Sequence, residues 1–515
     1  MTIISVDPRT GLGERLGEDS TPEEVRAACR RAAAAQPHLE ALGRHGRAGL
    51  LRAIADEIEA DAEELVALAD RETALGPERL SAELVRTVHQ LRFFAEVLHD
   101  GAYLEATIDH AGETPPGARP DLRRINVPIG PVAVFTASNF PLAFSVPGGD
   151  VAAALAAGCA VIIKAHPAHP QTAQRSYAAL TKAVANAGGL DGAIGIIFGV
   201  DGGATLAQHP AIRAIAFTGS VDGGRALSRL AASRPDPIPF FGELSSVNAL
   251  VVTPQAAAAR GREIGADAVA SFTLGSGQFC TKPGLLFVPR DAAGQSIIDA
   301  AVEALARVKP GYLLNAGVHE RYRRSVDVRS HLPGVTATTG QAASGDGFSA
   351  GPVLLRVRIE DLAPDLLAEC FGPISVIVEY GDGEQLTETL RALPGALTAT
   401  IHGDPDDPLA VAAATAMRDG AGRVVWNGFP TGVSVTWAMH HGGPWPSAAD
   451  ARETSVGAGA IQRFVRPVCY QNTPSTALPP ELRDDYTAIP RRVDGKLQIP
   501  AGLGHVVLPR TPPPD

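Results

Sequence analysis

The stretch GSGQFC, Gly275 to Cys280, puts a thiol behind two glycines at the end of an alanine-rich amphipathic run. Glycine frees the backbone for a tight turn that presents a side chain instead of burying it. A thiol presented in this way is a nucleophile once a base or a lowered pKa supplies the thiolate. A cysteine packed in a core satisfies the same segment equally well, so the base must be sought elsewhere. Glu243, in FFGELSSVN, follows an apolar run and meets small polar residues. A carboxyl held among apolar residues titrates high and can take a proton near neutrality, although a solvated glutamate at a strand edge reads the same way. Asn139, in TASNFPL, offers a side-chain amide at the end of a buried strand. It is suited either to holding an oxyanion or to capping the following turn.

A second group has the character of a phosphate and ribose site. FTGSVDGG places Gly219 and Ser220 where a strand turns into a helix, with Gly224 in the first helical turn. Backbone N–H groups at such a helix start hold pyrophosphate, though the spacing is not GxGxxG. Lys164 ends the apolar VIIK, where its ammonium could meet ribose or phosphate oxygens or simply snorkel to water.

These side chains need a frame. TPEEVRAACRRAAAAQ opens with Thr21, Pro22 and Glu24 in the pattern of a capped helix start, and helical periodicity dominates the first hundred residues. From Pro128 onward, short apolar runs alternate with helical ones: VAVF, VIIK, GIIF and AIAFT each precede a helix. That alternation predicts parallel βαβ units buried on both faces, with ligands bound beyond the carboxyl ends of the strands. A second α/β region begins near NALVV and includes GLLFVPR, ISVIVEY and ALTATIHG. IQRFVRPVCYQN has the rhythm of an added strand, and the chain beyond Asn472 is proline-rich and expected to pack poorly.

Composition bounds the possibilities. A chain of 515 residues with net charge −11, 45% hydrophobic residues, 54 glycines and 41 prolines fits a soluble α/β enzyme. No basic cluster suits nucleic acid. The five cysteines are widely spaced, odd in number and without a CxxC pair, which argues against a disulfide framework or a metal site and favours the cytoplasm. The uncharged Ile125–Gly149 is long enough to imitate a membrane span, but Pro128, Pro131, Pro141 and Pro147 interrupt it, so no membrane association is expected.

Taken in order, SNFPL, Lys164, FTGS, ELSS, GQFC and ECFGP (Glu369 to Pro373) resemble the aldehyde dehydrogenase superfamily from about Val127 to Asn472. NGFPTGVSVTWAMHHGGPWPSAADARETSVG and RFVRPVCYQN resemble its 2-oxoglutarate semialdehyde (2,5-dioxopentanoate) dehydrogenase branch, near the NADP-linked fatty aldehyde dehydrogenases. Ser434 stands where that branch has glutamate, and PSAAD replaces PATSD, both near the expected substrate mouth.

The resemblance implies an α/β fold with a Rossmann-type cofactor domain (1–103 and 127–249) and a catalytic domain (250–440). It also implies a bridging sheet (104–126 and 460–475), a tail (476–515), and a homodimer or homotetramer. Cys280 would be the nucleophile, Asn139 and the Cys280 N–H the oxyanion donors, and Glu243 the base that activates water. Lys164 and His166 would face the adenosine ribose, Gly219 and Ser220 the pyrophosphate, Glu369 and Phe371 the nicotinamide end of NADP or NAD. NADP is preferred because Pro167 occupies the place of the acidic residue that repels a 2′-phosphate in NAD-selective relatives. Phe140, Phe144, Phe429 and Trp437 would line a tunnel if the substrate were a fatty aldehyde. An acylating dehydrogenase would lack Glu243, and a silent binding protein would lack the intact set.

Overall fold

The computed structural model describes residues 2–188 and 190–500. A hairpin of Thr2–Val6 and Gly13–Glu18 precedes four helices: α1 (Pro22–Ala41), α2 (Gly43–Ala60), α3 (Ala62–Thr73) and α4 (Pro77–Asp100). Thr21 caps α1 as its sequence requires, its side chain accepting from the Glu24 N–H while the Glu24 carboxylate accepts from the Thr21 N–H.

The first large sheet has five strands, all parallel, in the order Phe240–Glu243, Ala214–Thr218, Val132–Phe135, Val161–Lys164, Ile194–Ile197. Alternate residues bury on opposite faces. Ala133, Phe135, Ile162 and Ile215 pack with Val25, Ala28 and Ala32 of α1. Val132, Val134, Val161 and Ile163 pack with α2, α4 and the all-buried α5 (Gly149–Ala157). Between strands come α5, α6 (Pro170–Ala187), α7 (Val200–Gln208) and α8 (Val221–Ala232). The strand order reverses between Val132–Phe135 and Ala214–Thr218, which opens a crevice at their carboxyl ends.

The second sheet has seven strands in the order Thr336–Thr339, Val353–Arg358, Ile374–Tyr380, Pro283–Pro289, Asn248–Val252, Ala396–His402, Ala421–Trp426. Only the first of these runs antiparallel. Leu250, Val252, Leu286 and Val288 face α9 (Pro254–Thr273), while Val251, Leu285, Phe287 and Val376 face the other core.

A third sheet of five short strands runs Val465–Gln471, Leu122–Pro128, Thr107–Asp109, Arg491–Val493, Lys496–Gln498. Its last two strands correct the expectation of a poorly packed end. Arg492 and Val493 pair with Thr107 and Ile108, and Leu478, Leu482 and Ile489 are buried. Prolines exclude a segment from a sheet interior but not from short turns such as Pro480–Leu482, which lets apolar residues between them reach the core. The terminal PRTPPPD lies outside the described residues. Among the described residues no helix is long and apolar enough to cross a membrane, and the uncharged Ile125–Gly149 runs through two strands into the start of α5.

Candidate active site

Beyond the carboxyl ends of the first sheet lies a cleft of about 410 Å³. Asn139, His166, Gly219, Ser220, Glu243, Cys280, Glu369 and Phe371 all line it. Lys164 closes its strand two residues before His166 and does not line the cleft. Its ammonium is pushed down to about 8 by burial, against the opposing pull of Asp19.

Cys280 owes its position to a run of left-handed backbone. After α9, Gly275, Ser276 and Gly277 have φ of 56°, 57° and 68°, a conformation cheap for glycine and strained for Ser276. Gly277 is also pressed against a second loop. A Cβ there would meet the Gly372 carbonyl at 2.0 Å, and the Gly372 N–H donates to the Gly277 carbonyl at 3.2 Å. Gln278, fully buried, accepts from the Leu314 N–H and donates to the Gly275 and Tyr312 carbonyls. Asn248 Nδ2 donates to the carbonyls of Cys280 and Lys282. Lys282 Nζ in turn donates to the carbonyls of Cys370 and Gly372 at 2.6 and 2.9 Å, its ammonium pushed down to about 8 by burial. The thiol loop and the Glu369 loop are therefore one rigid unit.

Asn139 Nδ2 donates to the Gln278 carbonyl at 2.9 Å, which ties the first sheet to the thiol loop and leaves its second hydrogen for another acceptor. Glu243 ends its strand with both carboxylate oxygens engaged. His441 Nε2 lies 2.9 Å from Oε1, and Ser455 Oγ donates to Oε2 at 2.5 Å. Cys280 Sγ is 3.5 Å from the same His441 nitrogen. With Glu243 ionised, His441 carries its proton on Nε2 and shares it between carboxylate and sulfur.

The electrostatics revise one expectation. Burial does push the Glu243 carboxyl up, but the charge and hydrogen bond of His441, with Ser455 and Cys280, outweigh it and leave the group below the ordinary glutamate value. The Cys280 thiol is held well above its ordinary value, by burial first and by the Glu243 charge second. Glu369 accepts from Ser245 Oγ at 2.5 Å and is pushed up to about 7 by burial. The donor atoms of Glu243, Cys280 and His441 lie within 4.8 Å of one another, a mixed set of the kind zinc accepts. Direct hydrogen bonding among them instead suits proton transfer.

His441 is the residue that inspection of the sequence passed over as chemistry. It lies within HHGGPWP, with nothing in spacing to distinguish it from a core histidine, and only its 2% exposure beside a buried carboxylate reveals it. Arg321, on the helix Ala316–Ser330, also lines the cleft without a local signal. Of the four aromatics, Phe140 and Phe144 line the cleft and pack edge to face. Phe429 instead lies against His402, and Trp437 is exposed beside Phe93. Ser434 is exposed, whereas Ala448 of PSAAD bridges to Glu243 and braces it.

A doubly wound sheet thus brings a thiol on a glycine turn and a buried carboxylate to one cleft. The aldehyde dehydrogenase family model matches residues 2–466, and the chain belongs to that family. It is 44% identical over 488 residues to the alpha-ketoglutaric semialdehyde dehydrogenase of Acinetobacter baylyi, covering 94% of this chain and 93% of that one. It is 46% identical over 508 residues to alpha-ketoglutaric semialdehyde dehydrogenase 2 of Azospirillum brasilense, covering 96% of each. Solved structures sharing the fold include aldehyde dehydrogenase C of Pseudomonas syringae, complexed with NAD+ and octanal (TM-score 0.78, 21% identity, 92% and 93% covered). Lactaldehyde dehydrogenase of Escherichia coli is similar to the same degree (TM-score 0.78, 24% identity, 91% and 95% covered).

Proposed function

We propose that the protein oxidises 2-oxoglutarate semialdehyde to 2-oxoglutarate through a Cys280 thioester. The observation that carries the chemistry is the meeting of Cys280 Sγ, His441 Nε2 and the Glu243 carboxylate in a cleft that Asn139 also lines. The two semialdehyde dehydrogenases similar over nearly the whole chain support the substrate.

Glu243, braced by His441 and Ser455, draws the thiol proton as Cys280 Sγ bonds to the aldehyde carbon. The free hydrogen of Asn139 Nδ2 and the Cys280 N–H hold the resulting oxyanion. A nicotinamide cofactor held in the cleft would supply the acceptor for the hydride lost from that carbon. Glu243 releases the thiol's proton to solvent, then takes a proton from the water that attacks the thioester and hands it to the departing sulfur, which leaves as the restored thiol.

The cleft suits such a cofactor. The helix start of α8 beside Gly219 and Ser220 suits phosphate, His166 in the cleft would meet the ribose with Lys164 just behind it, and Glu369 and Phe371 would flank the far end. NADP is preferred and NAD also used, because Pro167 carries no charge to repel a 2′-phosphate, while Asp201 disfavours one. The enzyme works in the reducing cytoplasm as a homodimer or homotetramer, with the third sheet as its bridge.

Initial rates of NADPH formation test the substrate. The semialdehyde is expected to exceed any unsubstituted aldehyde in kcat/KM. If decanal is faster by tenfold or more, the substrate is a fatty aldehyde instead.

A further inference from the structure

We propose that Arg86, on α4, is the anchor for a carboxylate carried at the end of the substrate remote from its aldehyde. Both terminal nitrogens of its guanidinium are buried, yet among the described residues neither has a hydrogen-bond partner. Only Nε is engaged, donating to the Val433 carbonyl at 3.3 Å. A buried guanidinium with two free donors is costly unless an anion meets it, and its planar fork matches the two oxygens of a carboxylate.

Arg86 is not among the residues that line the cleft, but it packs directly against one that is. Arg86 lies over the Phe144 ring, 5.1 Å from the centroid, and Phe144 lines the same cleft as Cys280. The loop that supplies the Val433 carbonyl is fastened beside Cys280, since the Gly432 N–H donates to Thr281 Oγ1. Burial draws the guanidinium pKa down, and the charges of Glu83, Cys280 and Glu243 draw it back, so the catalytic pair is within electrostatic reach.

The neighbouring groups leave one positive charge uncompensated. Arg79, two turns earlier on α4, also has two buried nitrogens without a partner among the described residues, Nε and Nη1. Its charge is already engaged, however: Nη2 donates to the Asn139 carbonyl, the guanidinium stacks on Phe140 and Phe279, and it lies 3.9 Å from Glu83. Glu83 Oε1 accepts from the N–H groups of Leu142 and Ala143, which locks α4 to the segment bearing Phe140 and Phe144. One carboxylate therefore faces two guanidiniums, and the substrate's carboxylate completes the set.

This inference rests on the cleft being the aldehyde site, and it deepens the substrate reading without depending on the 2-oxo group. The test compares kcat/KM for glutarate semialdehyde and pentanal, which have the same chain length, in wild type, Arg86→Ala and Arg86→Lys. Wild type is expected to favour the carboxylated aldehyde. Arg86→Ala should reduce that preference by about 30-fold or more, the scale of losing two charge-assisted hydrogen bonds. Arg86→Lys should retain part of it. A preference within threefold of wild type in Arg86→Ala, or no preference in wild type, overturns the proposal. If Arg86→Ala does not fold, Arg86→Met keeps the buried stem and serves the same comparison. A wild type that favours glutarate semialdehyde over 2-oxoglutarate semialdehyde refutes the named substrate and leaves the Arg86 assignment standing.

Discussion

At the residue scale the active cleft is governed by who holds the Glu243 proton. Its carboxyl lies below the ordinary range because His441 and Ser455 overcome the effect of burial. Replacing His441 with alanine removes the largest lowering influence, so the carboxyl will titrate higher and less of it will be ionised at any given acid pH. The acid limb of kcat should then move to higher pH. A kcat profile from pH 5 to 8 measures this, and an unmoved limb contradicts the coupling. Local signals alone left Cys280 and Glu243 open to a core cysteine and a solvated glutamate, and only the order of motifs along the chain paired them, which matches their meeting at one cleft. His441 was not legible, since its partners lie 161 and 198 positions away in the chain. The Glu243 titration was misread for the same reason: local apolarity was visible, while the histidine that outweighs it was not.

At the scale of elements, periodicity carried most of the fold. The strands Val161–Lys164, Asn248–Val252, Ile374–Tyr380 and Ala396–His402 lie where continuous apolar runs placed them, because strands buried on both faces need no polar alternation. What joins elements was invisible. Glu72, at the end of α3, is nearly inaccessible, and it accepts from Ser5 Oγ and the Gln171 N–H on one oxygen and from the N–H and hydroxyl of Thr172 on the other. It therefore caps the start of α6 while holding the amino-terminal hairpin. Glu72→Gln turns one acceptor into a donor facing donors and removes the charge at a helix N-terminus. A loss of about 2–3 kcal/mol is expected. A falling urea midpoint checks this, and an unchanged midpoint speaks against it.

At the scale of the whole molecule, the three sheets share cores supplied by segments remote in sequence. Composition misjudged the carboxyl-terminal part, because proline frequency says nothing of the few apolar residues that dock. Leu482 is fully buried in the core that also takes in α2 and α4, whereas Leu497 on the outermost strand is 60% exposed. Leu482→Ala should destabilise the protein by about 2–5 kcal/mol, and Leu497→Ala by less than about 0.5 kcal/mol. Melting temperatures that fall equally would return this segment to the status of a loose appendage. The contact between Gly277 and the Gly372 carbonyl reaches beyond stability, into descent. A side chain at Gly277 would run into the Gly372 carbonyl and one at Gly372 into the Tyr322 ring, so a variant that keeps these loops in place keeps glycine at both positions. If Arg86 selects the substrate as proposed, exchanging it alters which aldehyde fits without touching either glycine.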